Sequence, residues 1–220
     1  MTQLYFIGDI HGRWDLVYPR LAMSPPGIAV FVGDLGIDHD TTWHTATQPI
    51  RDAGHKINWI PGNHDTKGEG AFDLLWWAGA PECFHRDVIA AGDLKIAGLG
   101  GVFRSRVWNP DTGTPSRTRR AVLQPLPNMS HRDTIFEEDV RQFEGQRADI
   151  LVCHEAPTPH RYGFAAIAKL AAELRGRLVV HGHHHRSEEY RTEAGIRVHS
   201  LGLAEVWAMP SDYMQEGGQV

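Results

Sequence analysis

Five short apolar runs in the chain each end in a cluster of metal-ligating or proton-handling residues: Gly8-Asp9-Ile10-His11-Gly12, Gly33-Asp34-Leu35-Gly36, Pro61-Gly62-Asn63-His64-Asp65, Cys153-His154-Glu155 and Gly182-His183-His184-His185. This recurrence constrains the fold more than any other feature. In an α/β sheet with parallel strands, the loops beyond the strands' carboxyl ends converge on one edge, so residues remote in sequence meet there. Asp9 and His11 are two apart, and in extended chain such positions face the same way. Taken singly, each fragment has a plainer explanation. Gly-Asp after a strand is often a turn, Asn63 followed by Asp65 suits a helix cap, and a histidine such as His154 is commonly a hydrogen-bonded structural residue. The conjunction of all five, each after an apolar run, is what chance does not supply.

The spacing of apolar residues predicts strands over 4–7, 28–32, 56–60, 94–99, 150–153, 177–180, 189–192, 196–200 and 204–208. Helical spacing occurs near 14–22, 41–53, 71–78, 134–144 and 163–175. Strands and helices alternate through residue 180, which indicates an α/β sheet; the last strands, meeting at Glu193-Ala194-Gly195, read as an antiparallel hairpin. A mixed-sheet α/β domain follows. At 220 residues one domain is expected, spanning 1–210, with a polar, Gly-containing and loosely held tail at 211–220. Residues 102–132 fit neither period, and with Arg104, Arg106, Arg117, Arg119 and Arg120 among four prolines they read as a long surface loop.

Composition narrows the function classes. A net charge of -5 disfavours broad electrostatic binding to nucleic acid. Cys83 and Cys153 give no disulfide framework, and the alternation of the strand places Cys153 in the core. No run of about 18 apolar residues is present to cross a membrane, and the amino terminus reaches a polar motif by residue 8, so a cytoplasmic location is expected. The 14 histidines are the unusual count, histidine being both the commonest metal ligand and the usual acid or base near neutral pH.

Together, Asp9-x-His11, Gly33-Asp34, Gly62-Asn63-His64-Asp65, His154 and Gly182-His183-x-His185 resemble the calcineurin-like metallophosphoesterase superfamily, over residues 8 to 185. The resemblance implies a four-layer α/β/β/α sandwich with two mixed β-sheets and a dinuclear metal site at the carboxyl ends of the strands. It implies that Asp9, His11 and His185 bind one metal, that Asn63, His154 and His183 bind the other, and that Asp34 bridges them. The chemistry is coherent. A carboxylate has two oxygens and can hold two cations about 3.5–4 Å apart, and an amide oxygen adds no charge. Two divalent ions against Asp9, Asp34 and a bridging hydroxide leave a site of about +1, suited to a phosphoryl anion and to in-line attack by that hydroxide. His64 is then free to stabilise the transition state and protonate the leaving oxygen, with Asp65 orienting its ring.

The donor set, imidazole and carboxylate without thiolate, suits manganese, iron or zinc, with cobalt and nickel compatible. The expected substrates are phosphate mono- or diesters: a phosphorylated small molecule, a nucleotide or a phosphoprotein. The GDIHG opening is similar to those of the serine/threonine phosphoprotein phosphatases and diadenosine tetraphosphatases. The chain departs from both at GDLGID and PGNHD, where their additional phosphate-binding arginine is missing. Arg104 and Arg106 are candidates for substrate phosphate; Phe103 and Trp108 are candidates for stacking or for core; Trp76, Trp77 and Trp207 for core or a partner surface. His39, His44, His55, His85, His131, His160 and His199 lack motif context and read as surface or structural. Two alternatives accompany the esterase reading. The basic loop by itself supports a nucleic-acid end-processing nuclease, and a non-catalytic scaffold on the same fold would be expected to have lost ligands that this chain retains.

Overall fold

A computed structural model describes residues 2–38, 40–66, 82–113, 116–123 and 131–214. The helix expected near 71–78, Trp76, Trp77, His39 and most of the tail lie outside the described residues. One sheet has four strands: β1 (Leu4–Ile7), β2 (Ile28–Phe31) and β3 (Lys56–Trp59) run parallel, and the last strand, β10 (Val206–Ala208), pairs antiparallel with β1. The second has six strands in the order β4 (Asp87–Ala91), β5 (Leu94–Leu99), β6 (Ile150–Cys153), β7 (Leu178–His181), β9 (Arg197–Ser200) and β8 (Glu188–Arg191). Strands β5, β6, β7 and β9 are parallel, and the hairpin expected at 193–195 joins β8 to β9.

The period-2 alternation of each strand divides its side chains between two cores. Tyr5, Ile7 and Phe31 face outward onto α1 (Trp14–Ala22) and α2 (Trp43–Asp52), meeting Trp14, Val17, Leu21, Trp43 and Ile50. Helix α1 presents Trp14, Val17 and Leu21 at helical spacing, and α2 starts where the Thr42 side chain accepts from the Thr45 N–H at 3.2 Å. Leu4, Phe6 and Val30 face inward and interleave with Ile150, Val152, Leu178 and Val180 of the other sheet. On the far side of that sheet Leu151, Cys153 and Val179 pack on Ile167, Leu170 and Ala171 of the later helix Ala165–Glu173. Two mixed sheets back to back with helices outside make the α/β/β/α layering, and Cys153 is core as expected. Each fully buried large side chain of this kind contributes about 1.5–3 kcal/mol.

Three stretches differ from the sequence-based expectation. Strand β4 was not expected: it is an edge strand with one buried residue, Ala91, and so carries little apolar signal. The 102–132 segment is not loop throughout. It holds a 3-10 turn at Pro110–Thr112 and a short helix, α3 (Arg119–Leu123), and Val102 bridges to Thr134. Arg119 explains the helix. Its Nη2 donates to both oxygens of buried Asp139 at 2.6 Å, its guanidinium lies 4.3 Å from the Phe136 ring centroid, and Val122 packs with Val107 and Phe136. Asp139 and Phe136 lie at the start of α4 (Glu137–Arg141), a much shorter helix than the 134–144 expected. The helix Ala165–Glu173 is α5.

Candidate metal centre

The strand registers bring the polar clusters to one level. Ile7 is beside Phe31 and Phe31 beside Trp59 in the first sheet, while Cys153 is beside His181 in the second, so all five clusters emerge from carboxyl ends. The turns that follow are tight. Among the described residues, His11, Asp34, His183 and His185 all have positive φ, at 47°, 52°, 71° and 54°. Non-glycine residues held there cost about 1–3 kcal/mol each, a strain that concentrates at functional sites. Glycines permit the close approach: a Cβ on Gly62 would lie 2.3 Å from Asp34 Oδ1 and 2.4 Å from the Asp34 backbone nitrogen, and one on Gly182 would lie 2.8 Å from each Asp9 carboxylate oxygen.

Asp34 sits at the centre. Its Oδ2 is 3.5 Å from His11 Nε2 and 3.6 Å from His154 Nε2, and its Oδ1 accepts the His64 backbone N–H at 2.7 Å. On one side, His11 Nε2 and His185 Nε2 approach to 3.0 Å, which requires a proton or a cation between them. On the other, His154 Nδ1 donates to the Val32 carbonyl at 2.8 Å. That bond leaves His154 Nε2 facing Asn63 Oδ1 at 3.1 Å and Asp34 Oδ2, so acceptors converge on one point. Asp9 Oδ2 accepts the His183 backbone N–H at 2.8 Å, while Asp9 Oδ1, fully buried, has no hydrogen-bond partner among the described residues and lies 3.5 Å from His154 Nδ1.

Among the described residues, three groups of side chains have ligand atoms within 4.8 Å of one another: His11 with Asp34 and His185, Asp9 with Asp34 and His154, and Glu155 with His183 and His184. Asp34 belongs to two of them. The orphaned Asp9 oxygen and the facing ring nitrogens fit a cation far better than they fit a metal-free pocket, so the residues present suit the metals that the sequence resemblance implies.

The electrostatics agree. Burial pushes the Asp9 carboxyl up to about 6, with His154 opposing and Asp34 reinforcing. Burial alone would depress His154, but the Asp34 and Asp9 carboxylates outweigh it and raise its pKa: without a metal, a proton serves the negative charge a cation would otherwise balance. Burial lowers His183 to about 3, helped by neighbouring His154, which keeps that ring neutral and able to ligate.

The other sequence-based candidates are placed as follows. His64 is exposed at the mouth, its ring 5.0 Å from that of His11. Asp65 is buried and takes backbone donors in place of the His64 ring: Gly62 N–H at 2.7 Å and Asp34 N–H at 2.8 Å on Oδ2, and Leu35 N–H at 2.7 Å on Oδ1. His183 stands 5.0 Å, ring to ring, from His154, with Glu155 and His184 on its other side. Arg104 Nη2 already donates to both oxygens of Asp133, at 2.9 and 2.8 Å, and Arg106 is exposed; among the described residues no hydrogen bond or ion pair joins either to the candidate ligands. Phe103 packs between Trp108 and Phe164 in the core. His55, His85 and His199 are structural: His55 Nε2 is 2.9 Å from the Leu21 carbonyl, His85 Nδ1 accepts from Gly100 N–H, and His199 stacks on Trp207 at 3.7 Å.

Sequence reasoning missed Glu155 and His160. Glu155 is buried, accepts the Phe103 N–H at 3.1 Å, and is raised by burial to about 7. His160 stacks on His184 with centroids 4.2 Å apart. The Cys-His-Glu string displayed the first; nothing in the sequence marked the second.

The solved structure of Phosphopantetheinyl Hydrolase (PptH) from Mycobacterium tuberculosis is similar in fold, with a TM-score of 0.62 and 17% identity over 96% of each chain. A dimetal phosphatase from Danio rerio is similar too, with a TM-score of 0.62 and 12% identity over 93% of this chain and 88% of that one. An uncharacterized protein of Haemophilus influenzae is 34% identical over 224 residues, covering 96% of both sequences. The calcineurin-like phosphoesterase family profile matches residues 2–187, a span that contains every candidate ligand from Asp9 to His185. The chain belongs to the calcineurin-like phosphoesterase family.

Proposed function

We propose that the protein hydrolyses phosphate mono- or diesters at a dinuclear metal centre in which Asp34 is shared. Asp9, His11 and His185 complete one ligand set, and Asn63, His154 and His183 the other. The observation that carries this reading is the single Asp34 oxygen at 3.5 Å from His11 and 3.6 Å from His154. The donor types suit manganese, iron or zinc, and accept cobalt or nickel.

Bound there, the cations supply charge for the phosphoryl oxygens and bring the pKa of a water to near neutrality. The chain supplies the rest. His64, exposed beside His11, stabilises the oxygens of the transition state and gives a ring proton to the leaving oxygen. Asp65 acts by position: its three backbone bonds tie the Gly62 turn to the Asp34 turn, which fixes the shared carboxylate between the two histidine groups. The Val32 carbonyl fixes the tautomer of His154 so that Nε2 offers its lone pair.

Metal analysis of the purified protein, followed by hydrolysis of p-nitrophenyl phosphate and bis(p-nitrophenyl) phosphate with each cation, tests the proposal. Cation-dependent turnover that a chelator abolishes is expected. Failure to cleave either ester with manganese, iron, zinc, cobalt or nickel would overturn it, and turnover of the diester alone would exclude a protein phosphatase.

A further inference from the structure

The loop after β6 runs from Pro157 to Phe164 and folds back on itself. Phe164 N–H donates to the Ala156 carbonyl at 2.9 Å, Gly163 N–H to the His160 carbonyl at 2.9 Å, and Tyr162 N–H to His160 Nδ1 at 3.2 Å. This closed loop carries three adjacent residues, His160, Arg161 and Tyr162, against the cluster that follows β7. His160 stacks on His184 at 4.2 Å between centroids and 26° between planes, and Tyr162 leans over the same ring at 5.7 Å and 31°. His184 is itself 4.8 Å, ring to ring, from the candidate ligand His183.

Tyr162 is 60% exposed, one of three large apolar side chains so placed among the described residues. The Arg161 guanidinium lies 5.1 Å from its ring centroid. An aromatic side chain has few torsions to immobilise, and this one is held by a loop with its own hydrogen bonds, so little ordering remains to be done on binding. The cluster therefore forms a preorganised stacking surface beside the candidate ligand His183.

We propose that Tyr162, with Arg161 and His184 beside it, is a specificity platform that stacks on a planar aromatic ring carried by the alcohol of the ester, as in a nucleotide. The assignment rests on the phosphoesterase reading for the position of the phosphoryl group. Stacking of a base on an aromatic side chain is sequence-tolerant and strong enough to govern selectivity, and a guanidinium plane adds a second surface of the same kind.

Adenosine has no ester to cleave, so its binding measures the platform apart from the chemistry. Calorimetry on the full-length protein should give a dissociation constant for adenosine that rises about five-fold or more in Tyr162→Ala and is retained in Tyr162→Phe, with ribose failing to compete. In the metal-loaded protein the ratio of kcat/KM for adenosine 5′-monophosphate over ribose 5-phosphate should fall by a similar factor in Tyr162→Ala. A phenyl phosphate arm separates the two sources of a ring: preference for the nucleotide assigns the platform to a base, and equal preference for both aromatic esters over ribose 5-phosphate assigns it to aromatic rings in general. Adenosine binding that Tyr162→Ala does not weaken, or no binding at all, would overturn the platform. Adenosine binding that responds to Tyr162 while no ester is turned over with any cation would instead count against the phosphoesterase reading.

Discussion

Asp65 braces the turns of the candidate metal centre through backbone groups alone. Its carboxylate accepts three backbone N–H groups from two turns about 30 residues apart in sequence, and it is buried. Asp65→Asn replaces one acceptor oxygen with a donor that meets another donor. The expected result is a stability loss of about 1–3 kcal/mol by denaturant unfolding, with metal affinity falling in parallel; unchanged metal affinity would contradict a positioning role. His64 has the opposite profile. His64→Ala should lower kcat by about 10²–10⁴-fold while metal content by elemental analysis stays at the wild-type level, and equal loss of both would make His64 a ligand. The candidate ligand types were readable from the sequence because their clusters each follow an apolar run, and Asp9, His11, Asp34, Asn63 and His183 each stand beside a glycine. The work of Asp65 was not, since two of its three partners, the Asp34 and Leu35 N–H groups, are brought near only by the parallel pairing of β2 with β3. For the same reason His160 read only as surface or structural: its stacking partner, His184, is 24 positions further along the chain.

At the scale of elements, the strands that hold the site were legible and the elements that brace its surroundings were less so. Fully buried strands such as β1, β2, β6 and β7 read directly from continuous apolar runs. Helix α3 did not, because its stability is tertiary: Arg119 joins it to Asp139, 20 residues away, and Arg86 adds a contact to the same carboxylate at 3.3 Å. Removing one partner of a buried charged hydrogen bond is costly, and Arg119→Ala should lower stability by about 1.5–3 kcal/mol in urea unfolding. A change within error would mean that the packing of Val122, and not the ion pair, holds this helix in place. The candidate ligands sit in other turns, so the metal content of Arg119→Ala should match the wild type.

At the scale of the whole molecule, two sheets carry acids and imidazoles to a shared rim, and the resulting negative charge is a liability until a cation arrives. The Asp9 and Asp65 carboxyls are pushed by burial from 3.8 to about 6, and the contribution of these two acids to the pH dependence has a definite sign. Between those values the native state holds protons that the unfolded chain has lost, so raising the pH costs the native state stability. These two acids therefore remove stability as pH rises from about 4 through 6, whereas His85, His181 and His183, lowered by burial to about 3, add stability over the same range as the unfolded chain loses their protons. A divalent cation, which replaces the protons, should raise Tm more at pH 7.5 than at pH 5. An equal gain at both, in paired melting curves with and without manganese, would mean that ligation does not compete with protonation at these acids.

The central claim concerns one carboxylate and two ions, and it can be observed directly. Crystals of the protein equilibrated with manganese, measured at the manganese edge, should show two anomalous peaks about 3.5–4 Å apart, with Asp34 between them, His11 and His185 on one and His154 and His183 on the other. A single peak, or two peaks that Asp34 does not touch, would contradict the account.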